Sequence, residues 1–227
     1  GNFGDYGNDF TNCCATSNVS VNGGSRVHVG GLVGFLDSSG NLINCYATGN
    51  VSVNGGNDVS AGGLVGYSIG GIDLTNCYAT GDVSVNSENY VDTGGLVGSS
   101  GEISVSNCYS VSKITCKETT GQAYLGGLIG YADEVTFTNT HWLYYADSGV
   151  EYAAGYSDSL GIPTNIGATK HTYIAEFYTL ADTLNEGLET PAWEHISENS
   201  LPTLIENKTR SNFYDNKKFD RTIFYRK

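Results

Sequence analysis

The sequence has few charges, almost no proline and no methionine. Charged residues make up 15% of the 227 positions, well below the usual value of about 25%. Three prolines are too few for a collagen-like chain or a proline-rich linker. No apolar run approaches the roughly eighteen residues that a membrane span needs, so we expect no membrane insertion. Because methionine is absent and the chain begins at Gly1, we expect it to be part of a larger polypeptide.

The charges that are present are unevenly distributed. The chain has 11 basic and 24 acidic residues, a net charge of −13. Residues 206–227 carry a net charge of +4, which leaves −17 for residues 1–205. An acidic body repels phosphate backbones, so we expect no nucleic-acid binding. We interpret the basic segment as a solvated tail or linker.

Glycine, in contrast, is abundant and marks an internal repeat. The 31 glycines include four copies of a Gly-Gly-Leu-Val/Ile-Gly motif. The copies are 32 residues apart and begin at Gly30, Gly62, Gly94 and Gly126. An asparagine recurs in phase with them, at steps of 31 or 32 residues, as Asn12, Asn44, Asn76, Asn107 and Asn139. A period of this size is typical of solenoids and propellers.

Alternation with period two inside each repeat predicts β-strands. In the second repeat, one face carries small apolar side chains and should point inward: Cys45, Ala47, Gly49, Val51 and Val53. Thirty-two residues are short for a propeller blade, which needs about 40 or more, but they suffice for three short strands with turns. The sequence therefore predicts an all-β fold, a parallel β-helix (solenoid) of about four to five coils. Parallel crossovers prefer one hand, so we expect a right-handed helix.

The two repeated markers predict corners of the coil. The asparagines should bend the chain in left-handed geometry and form an amide ladder. The double glycines should mark a second corner, where no side chain fits or φ must be positive. We expect Cys13, Cys45, Cys77 and Cys108 to be buried, reduced thiols of the inner face. Whether Cys108 pairs with Cys116 stays open.

The period stops after Asn139, which divides the chain into three segments. We predict β-helix repeats at 1–139, a C-terminal cap at 140–205 and the basic tail at 206–227. In the cap, residues 141–145 should cover the last coil, and residues 147–170 are interpreted as an irregular loop. One short helix is predicted between Thr172, its cap, and Asn185. Trp193 should pack back on the solenoid.

The motifs Gly-Gly-Leu-Val-Gly and Asn-Cys-Tyr-Ala-Thr-Gly resemble those of the GLUG repeat family, over residues 10–139 and, through the closing segment, to about 205. Such repeats occur in bacterial surface and secreted proteins, including adhesin-like proteins and the non-catalytic regions of some IgA-cleaving metallopeptidases. The resemblance implies a bacterial extracellular or cell-surface location. It does not imply one biochemical activity, because the family is defined by its repeat.

The outward faces of the strands supply the candidate binding site. Aromatic, hydroxyl and amide groups should form an exposed strip that suits a glycan or a protein partner. The strip consists of Tyr46, Tyr78, Tyr109, Thr48, Thr80, Asn50 and Asp82. The alternative is that stacked tyrosines only stabilise neighbouring strands. A purely structural spacer or stalk therefore remains open.

Catalytic and metal-binding motifs are missing from the sequence. The four histidines are scattered, so no HExxH motif exists, and no Cys-x-x-Cys motif occurs. Residues 66–70 have the Gly-x-Ser-x-Gly spacing, but no helical pattern follows them, so we expect no nucleophile elbow. We therefore expect no cofactor, no metal and no enzymatic activity. The alternative is a glycan-active β-helix enzyme, for which Asp58 and Asp92 could fall on neighbouring coils.

Overall fold

Equivalent strands of successive repeats pair in parallel and in register, which winds the chain into a β-solenoid of about five turns. The computed structural model describes residues 9–37, 39–87, 89–117 and 120–205. The strands of the first two coils are β1 (Phe10–Thr11), β2 (Cys14–Ala15), β3 (Val19–Asn22), β4 (Arg26–Gly30), β5 (Val33–Leu36), β6 (Gly40–Ile43), β7 (Tyr46–Ala47), β8 (Val51–Asn54), β9 (Asp58–Gly62) and β10 (Val65–Ser68). The predicted fold class is confirmed, and its handedness stays a prediction. The predicted basic tail, 206–227, lies outside the described residues.

The next two coils repeat this order with one change. Their strands are β11 (Ile72–Thr75), β12 (Tyr78–Ala79), β13 (Val83–Asn86), β14 (Tyr90–Gly94), β15 (Val97–Ser106), β16 (Tyr109–Ser110), β17 (Ile114–Lys117), β18 (Ala123–Gly126) and β19 (Ile129–Thr138). In the second coil a turn separates β10 from β11. In each of the next two coils there is no such turn, and a single strand of ten residues, β15 or β19, replaces the two strands. The segment from Gly98 to Asn107 is one residue shorter than that from Gly66 to Asn76, which removes the turn.

The strands form four parallel ladders along the solenoid. One ladder joins β1, β6, β11, β15 and β19, with a branch in which β5 pairs with β10 and β10 with β15; the others follow β2, β3 and β4 through the coils. The inner face is as predicted, because Cys45, Ala47, Val51 and Val53 are all at most 2% exposed. Burial of the equivalent side chains in successive coils holds the coils together. In the first coil they are less covered, and Cys13, expected to be buried, is only half-buried.

Glycine is required at the double-glycine corner because there is no room for a side chain, and not because φ is positive. A Cβ atom on Gly62 would lie 2.0 Å from the carbonyl oxygen of Val65, and one on Gly63 would lie 2.2 Å from that of Gly95. Neither residue has a positive φ. Of the two reasons offered for these glycines, lack of room for a side chain is therefore the correct one.

The asparagine corner has the predicted left-handed geometry. All five repeat asparagines have φ between 48° and 57°. Nδ2 of Asn76 donates to Oδ1 of Asn44 at 3.1 Å, and Nδ2 of Asn139 donates to Oδ1 of Asn107 at 2.7 Å. The buried Oδ1 of Asn76 has no hydrogen-bond partner. The shortened segment lies between Asn76 and Asn107, so the amide ladder breaks where the repeat is one residue short.

The column of inner cysteines satisfies backbone carbonyl groups. The Cys77 thiol lies 3.2 Å from the carbonyl oxygen of Leu42 and 3.3 Å from that of Thr75. In the next-but-one coil, Thr140 makes the same pair of contacts at 3.0 Å. All six cysteines are free, Cys108 and Cys116 included, and Cys14 is exposed. Burial raises the pKa of the Cys77 thiol well above its usual value, so it stays protonated.

The cap is more regular than predicted. It contains β20 (Thr140–Leu143), β21 (Ala154–Ser157), β22 (Ile162–Thr164), β23 (Ala168–His171), a 3-10 helix (Ile174–Thr179), α1 (Leu180–Leu184), β24 (Trp193–His195) and β25 (Pro202–Leu204). The prediction of an irregular loop at 147–170 is wrong, because β21 pairs with β19 and β23 with β20, both in parallel. Solenoid pairing thus continues past Asn139. Among the described residues, no helix has the length and apolarity needed to cross a membrane.

The predicted helix is present, but Thr172 does not cap it with its side chain. Glu176, in the first turn, acts as the glutamate of a capping box: its Oε1 accepts the backbone N–H groups of Thr172 at 3.0 Å and Tyr173 at 2.8 Å. Its other oxygen, Oε2, lies 3.0 Å from Nδ1 of His171. The glutamate side chain is long enough to reach back over the first turn to these backbone groups, whereas the shorter threonine side chain is not.

A chain of hydrogen bonds joins this helix to the last asparagine corner. Nδ2 of Asn139 donates to the carbonyl oxygen of Thr183, so its Oδ1 accepts from Nε2 of His141. Nδ1 of His141 lies 3.0 Å from Nε2 of His171, whose Nδ1 faces Glu176. One proton lies between the two rings, so the pair carries a single positive charge. Burial, followed by the charge of His171, lowers the pKa of His141 to about 4.

Candidate functional site

The predicted tyrosine ladder (Tyr46, Tyr78 and Tyr109) forms, but it is not an exposed strip. The ring of Tyr78 lies 4.8 Å from that of Tyr46 and 5.1 Å from that of Tyr109, with planes only 2° apart. The cap covers the ladder: Trp193 packs against Tyr78 and Tyr109, and the Tyr109 hydroxyl donates to the carbonyl oxygen of Pro202 at 2.6 Å. Tyr78 is 6% exposed and Tyr109 is fully buried. The ladder is therefore the interface between solenoid and cap.

The other residues of the predicted strip have structural contacts or are half-buried. Oδ1 of Asn50 accepts the backbone N–H of Asp82 at 2.9 Å, and Oδ1 of Asp82 accepts that of Lys113 at 3.1 Å. These two exposed side chains thus join successive coils at a turn. Thr48 and Thr80 are half-buried. The structure does not combine the seven predicted residues into one accessible surface.

A different surface, beside the double-glycine corner, forms an open cleft of about 370 Å³. Two columns of outward side chains line it. The first column follows β4, β9, β14 and β18 and contains His28, Ser60, Asp92 and Tyr124, which are paired in register. The second follows β5, β10, β15, β19 and β21 and contains Phe35, Tyr67, Ser99, Tyr131 and Tyr156. The corner brings the two columns face to face.

Aromatic rings fill both ends of this cleft. At one end His28 stacks on Tyr67 at 4.7 Å and on Phe35 at 5.5 Å, with planes 22–23° apart. At the other end Tyr124 lies 5.6 Å from Tyr131 and stacks on Tyr156 at 4.8 Å. Rings that stack along the solenoid present their faces to the coils above and below.

The aromatic column is interrupted in the third coil. Ser99 stands between Tyr67 and Tyr131 in register, and Asp92 stands opposite it. Each coil adds about 4.8 Å, so the two tyrosines are roughly 10 Å apart. We call the gap, bounded by Tyr67, Tyr131 and Tyr124 with Asp92 and Ser99 at its base, the slot. Its width is that of one missing ring in the stack.

Asp92 is the electrostatically unusual group of the slot. Burial raises its pKa to about 7; the charge of Asp58 adds to this effect, and a hydrogen bond with Ser99 opposes it. The carboxyl group is therefore close to half-ionised at neutral pH. Asp92 makes no ion pair within the described residues, so a cation or a hydrogen-bond donor that entered the slot would find it available.

The remaining charges of the cleft lie at its two ends. Arg26 and Asp58, one coil apart in register, lie at the His28 end. At the other end the Tyr131 hydroxyl donates to Asp158 at 2.6 Å and contacts Asp133 at 3.1 Å. Both aspartates are exposed. The surroundings of the slot are consequently acidic on balance.

The side chains of the described residues do not indicate a metal site. Within residues 9–37, 39–87, 89–117 and 120–205, no three His, Cys, Asp or Glu side chains are grouped so that they could hold a metal ion. The sequence-based expectation that the protein uses no metal or cofactor stays a prediction.

The sequence reasoning noted Asp58 and Asp92 but missed the aromatic residues beside them. Phe35, Tyr67, Ser99 and Tyr131 recur at the same 32-residue step as the glycine motif, so the period itself was the available signal. What the period does not show is that the glycine corner folds this column against Asp92.

Comparison with known proteins supports the repeat and gives no closer relative. The family model described as the GLUG motif matches the chain twice, at residues 25–52 and 57–84. Each match begins just before the strand that leads into a double-glycine corner and ends in the second strand after the following asparagine corner. The resemblance to GLUG repeats is thereby confirmed over these residues, and the protein is a β-solenoid that contains two matches to the GLUG motif. No curated protein and no solved structure matches it.

Proposed function

We propose that the protein is a non-catalytic, adhesin-like binding module, and that the slot is its binding site. The observation that carries this proposal is the interrupted aromatic column. Tyr67 stacks on Phe35, and Tyr131 stacks on Tyr156, so their opposite ring faces border the gap at Ser99, and Asp92 lines the same open cleft. Aromatic faces beside a few polar groups are the usual composition of a specific binding site.

The setting that we propose is a bacterial secreted or cell-surface protein of which this chain is one part. The GLUG matches support this proposal, because GLUG repeats occur in such proteins. The regular solenoid would serve as a rigid support that holds the slot in one geometry, which lowers the entropic cost of binding.

An array of glycans and extracellular-matrix proteins tests the proposal. The full chain and a Tyr67→Ala/Tyr131→Ala double variant would be screened side by side. Tyr173→Ala is the matched control, because Tyr173 is a tyrosine of the cap with 72% exposure. We expect a wild-type signal that the control retains and the double variant loses. Absence of any wild-type signal would favour the purely structural stalk and overturn the proposal.

A second candidate function, a glycan-active enzyme, is favoured by one observation. Asp58 and Asp92 interact electrostatically, and burial keeps Asp92 partly protonated at neutral pH. Glycosidases use one protonated and one ionised carboxyl group. Incubation of the protein with the array glycans, followed by mass spectrometry of the products, distinguishes the two functions. Cleavage that Asp92→Asn abolishes would establish the enzyme, whereas binding without cleavage supports the binding module.

A further inference from the structure

Resting on the proposed binding function, we infer that the slot receives a planar cation: the guanidinium group of an arginine side chain that a partner protein presents. The inference concerns the chemistry of the ligand. It can fail while the slot remains a binding site for something else.

The slot has the shape that a flat group requires. Ser99 is one strand spacing from Tyr67 and one from Tyr131, so the site where a ring is missing lies about 4.8 Å from each neighbour. A flat group that enters there contacts an aromatic face on both sides. Arginine stacks on aromatic rings through a flat, delocalised guanidinium group, whereas the compact, strongly hydrated ammonium group of lysine does not fill a flat gap.

The charge of the Asp92 carboxylate favours a cationic ligand. Asp92 lies at the base of the slot, and its raised pKa reports burial together with the neighbouring charge of Asp58. A cation relieves both effects, and a guanidinium group adds paired hydrogen bonds to the carboxylate. The ionisable side chains around Asp92 on other strands are Arg26, His28, Asp58, Tyr67, Tyr124 and Tyr131. Of these only Arg26 is a permanent cation, and it lies in register with Asp58.

The electrostatic field around the slot is negative. Asp133 and Asp158 lie beside Tyr131 at the far end of the cleft, and residues 1–205 carry a net charge of −17. Such a field attracts a basic protein segment and speeds its association. A neutral pyranose could stack on the same rings, but it offers no positive charge to Asp92.

The experiment is an NMR titration of the full chain with three small probes. N-acetyl-arginine amide represents the inferred ligand, N-acetyl-lysine amide tests the need for a flat cation, and methyl β-glucoside represents a neutral sugar. We expect saturable shifts with the arginine probe and binding several-fold weaker with the lysine probe. Asp92→Asn should lower arginine affinity at least about tenfold. Asp73→Asn is the matched control, because it removes one exposed carboxylate from β11.

The pH dependence of affinity for the arginine probe provides an independent readout. If binding needs ionised Asp92, affinity for the arginine probe should rise by about tenfold between pH 6 and pH 8, given a pKa of about 7. Affinity for the glucoside should not change. Sugar binding that depends on Tyr67, without arginine binding, would overturn the guanidinium inference and leave the proposed site standing. No binding of the arginine probe at tens of millimolar would overturn the inference, and the array result would then decide the proposed function separately.

Discussion

Replacement of Asn76 tests whether the left-handed corner or the amide ladder contributes more to stability. Asn76 has φ of 53° and donates to Asn44 at 3.1 Å. Asn76→Gly loses the amide hydrogen bond but tolerates the backbone, at a cost of about 1 kcal/mol. Asn76→Ala loses the bond and also places a Cβ-bearing residue without polar compensation in left-handed geometry. We expect it to cost about 2–3 kcal/mol in all.

Urea unfolding followed by circular dichroism measures these differences. Asn54→Ala is the matched control, because Oδ1 of Asn54 accepts from Nδ2 of Asn86 at the same 3.1 Å, yet Asn54 has no positive φ. The control should therefore cost no more than about 1 kcal/mol. Equal losses for the alanine and glycine variants of Asn76, or a control as damaging as Asn76→Ala, would refute the argument that the left-handed backbone selects asparagine here.

Three further predictions concern the core and the cap. N-ethylmaleimide should label the exposed Cys14 quickly in the native protein, whereas the buried Cys77 should be labelled only after denaturation. Mass spectrometry identifies the labelled residues, and fast labelling of Cys77 in the native protein would contradict its burial. Trp193→Ala should cost about 3–5 kcal/mol and expose the cap to limited proteolysis; an unchanged digestion pattern would argue against cap packing on the tyrosine ladder. His141 is neutral when folded, with a pKa of about 4 against 6.5 when unfolded, so its contribution to stability should fall by about 3 kcal/mol between pH 6.5 and pH 4. Asp92, with its pKa raised to about 7, acts in the opposite direction, so thermal melts of wild type and His141→Gln are compared at both pH values: the variant should lose less stability on acidification, and an equal pH dependence would contradict the assignment.

Repetition made most of the solenoid predictable. A residue that recurs at every 32-residue step occupies the same place in each coil, so alternation in one repeat assigned the inner face of all of them. The left-handed asparagines and the crowded glycine corner followed from the same reasoning. These features are local, since each depends on a coil and its immediate neighbours.

The location of the exposed surface could not be predicted in this way. Tyr78 and Tyr109 point outward, as the alternation requires, but Trp193 and Pro202 lie more than 80 residues further along the chain and cover them. Contacts between the cap and the repeats obey no period. The strands of residues 154–171 were missed for a related reason, because they continue the ladders through pairing with β19 and β20 and not through the repeat motifs.

The most direct test of the central claim is to fill the slot. Ser99→Tyr places a ring between Tyr67 and Tyr131, where the register leaves space for one, so the variant should keep the wild-type thermal midpoint. On the glycan and matrix-protein array, we predict that this folded variant loses the wild-type signal. Wild-type binding by a folded Ser99→Tyr variant would contradict the claim that the interrupted aromatic column is the binding site.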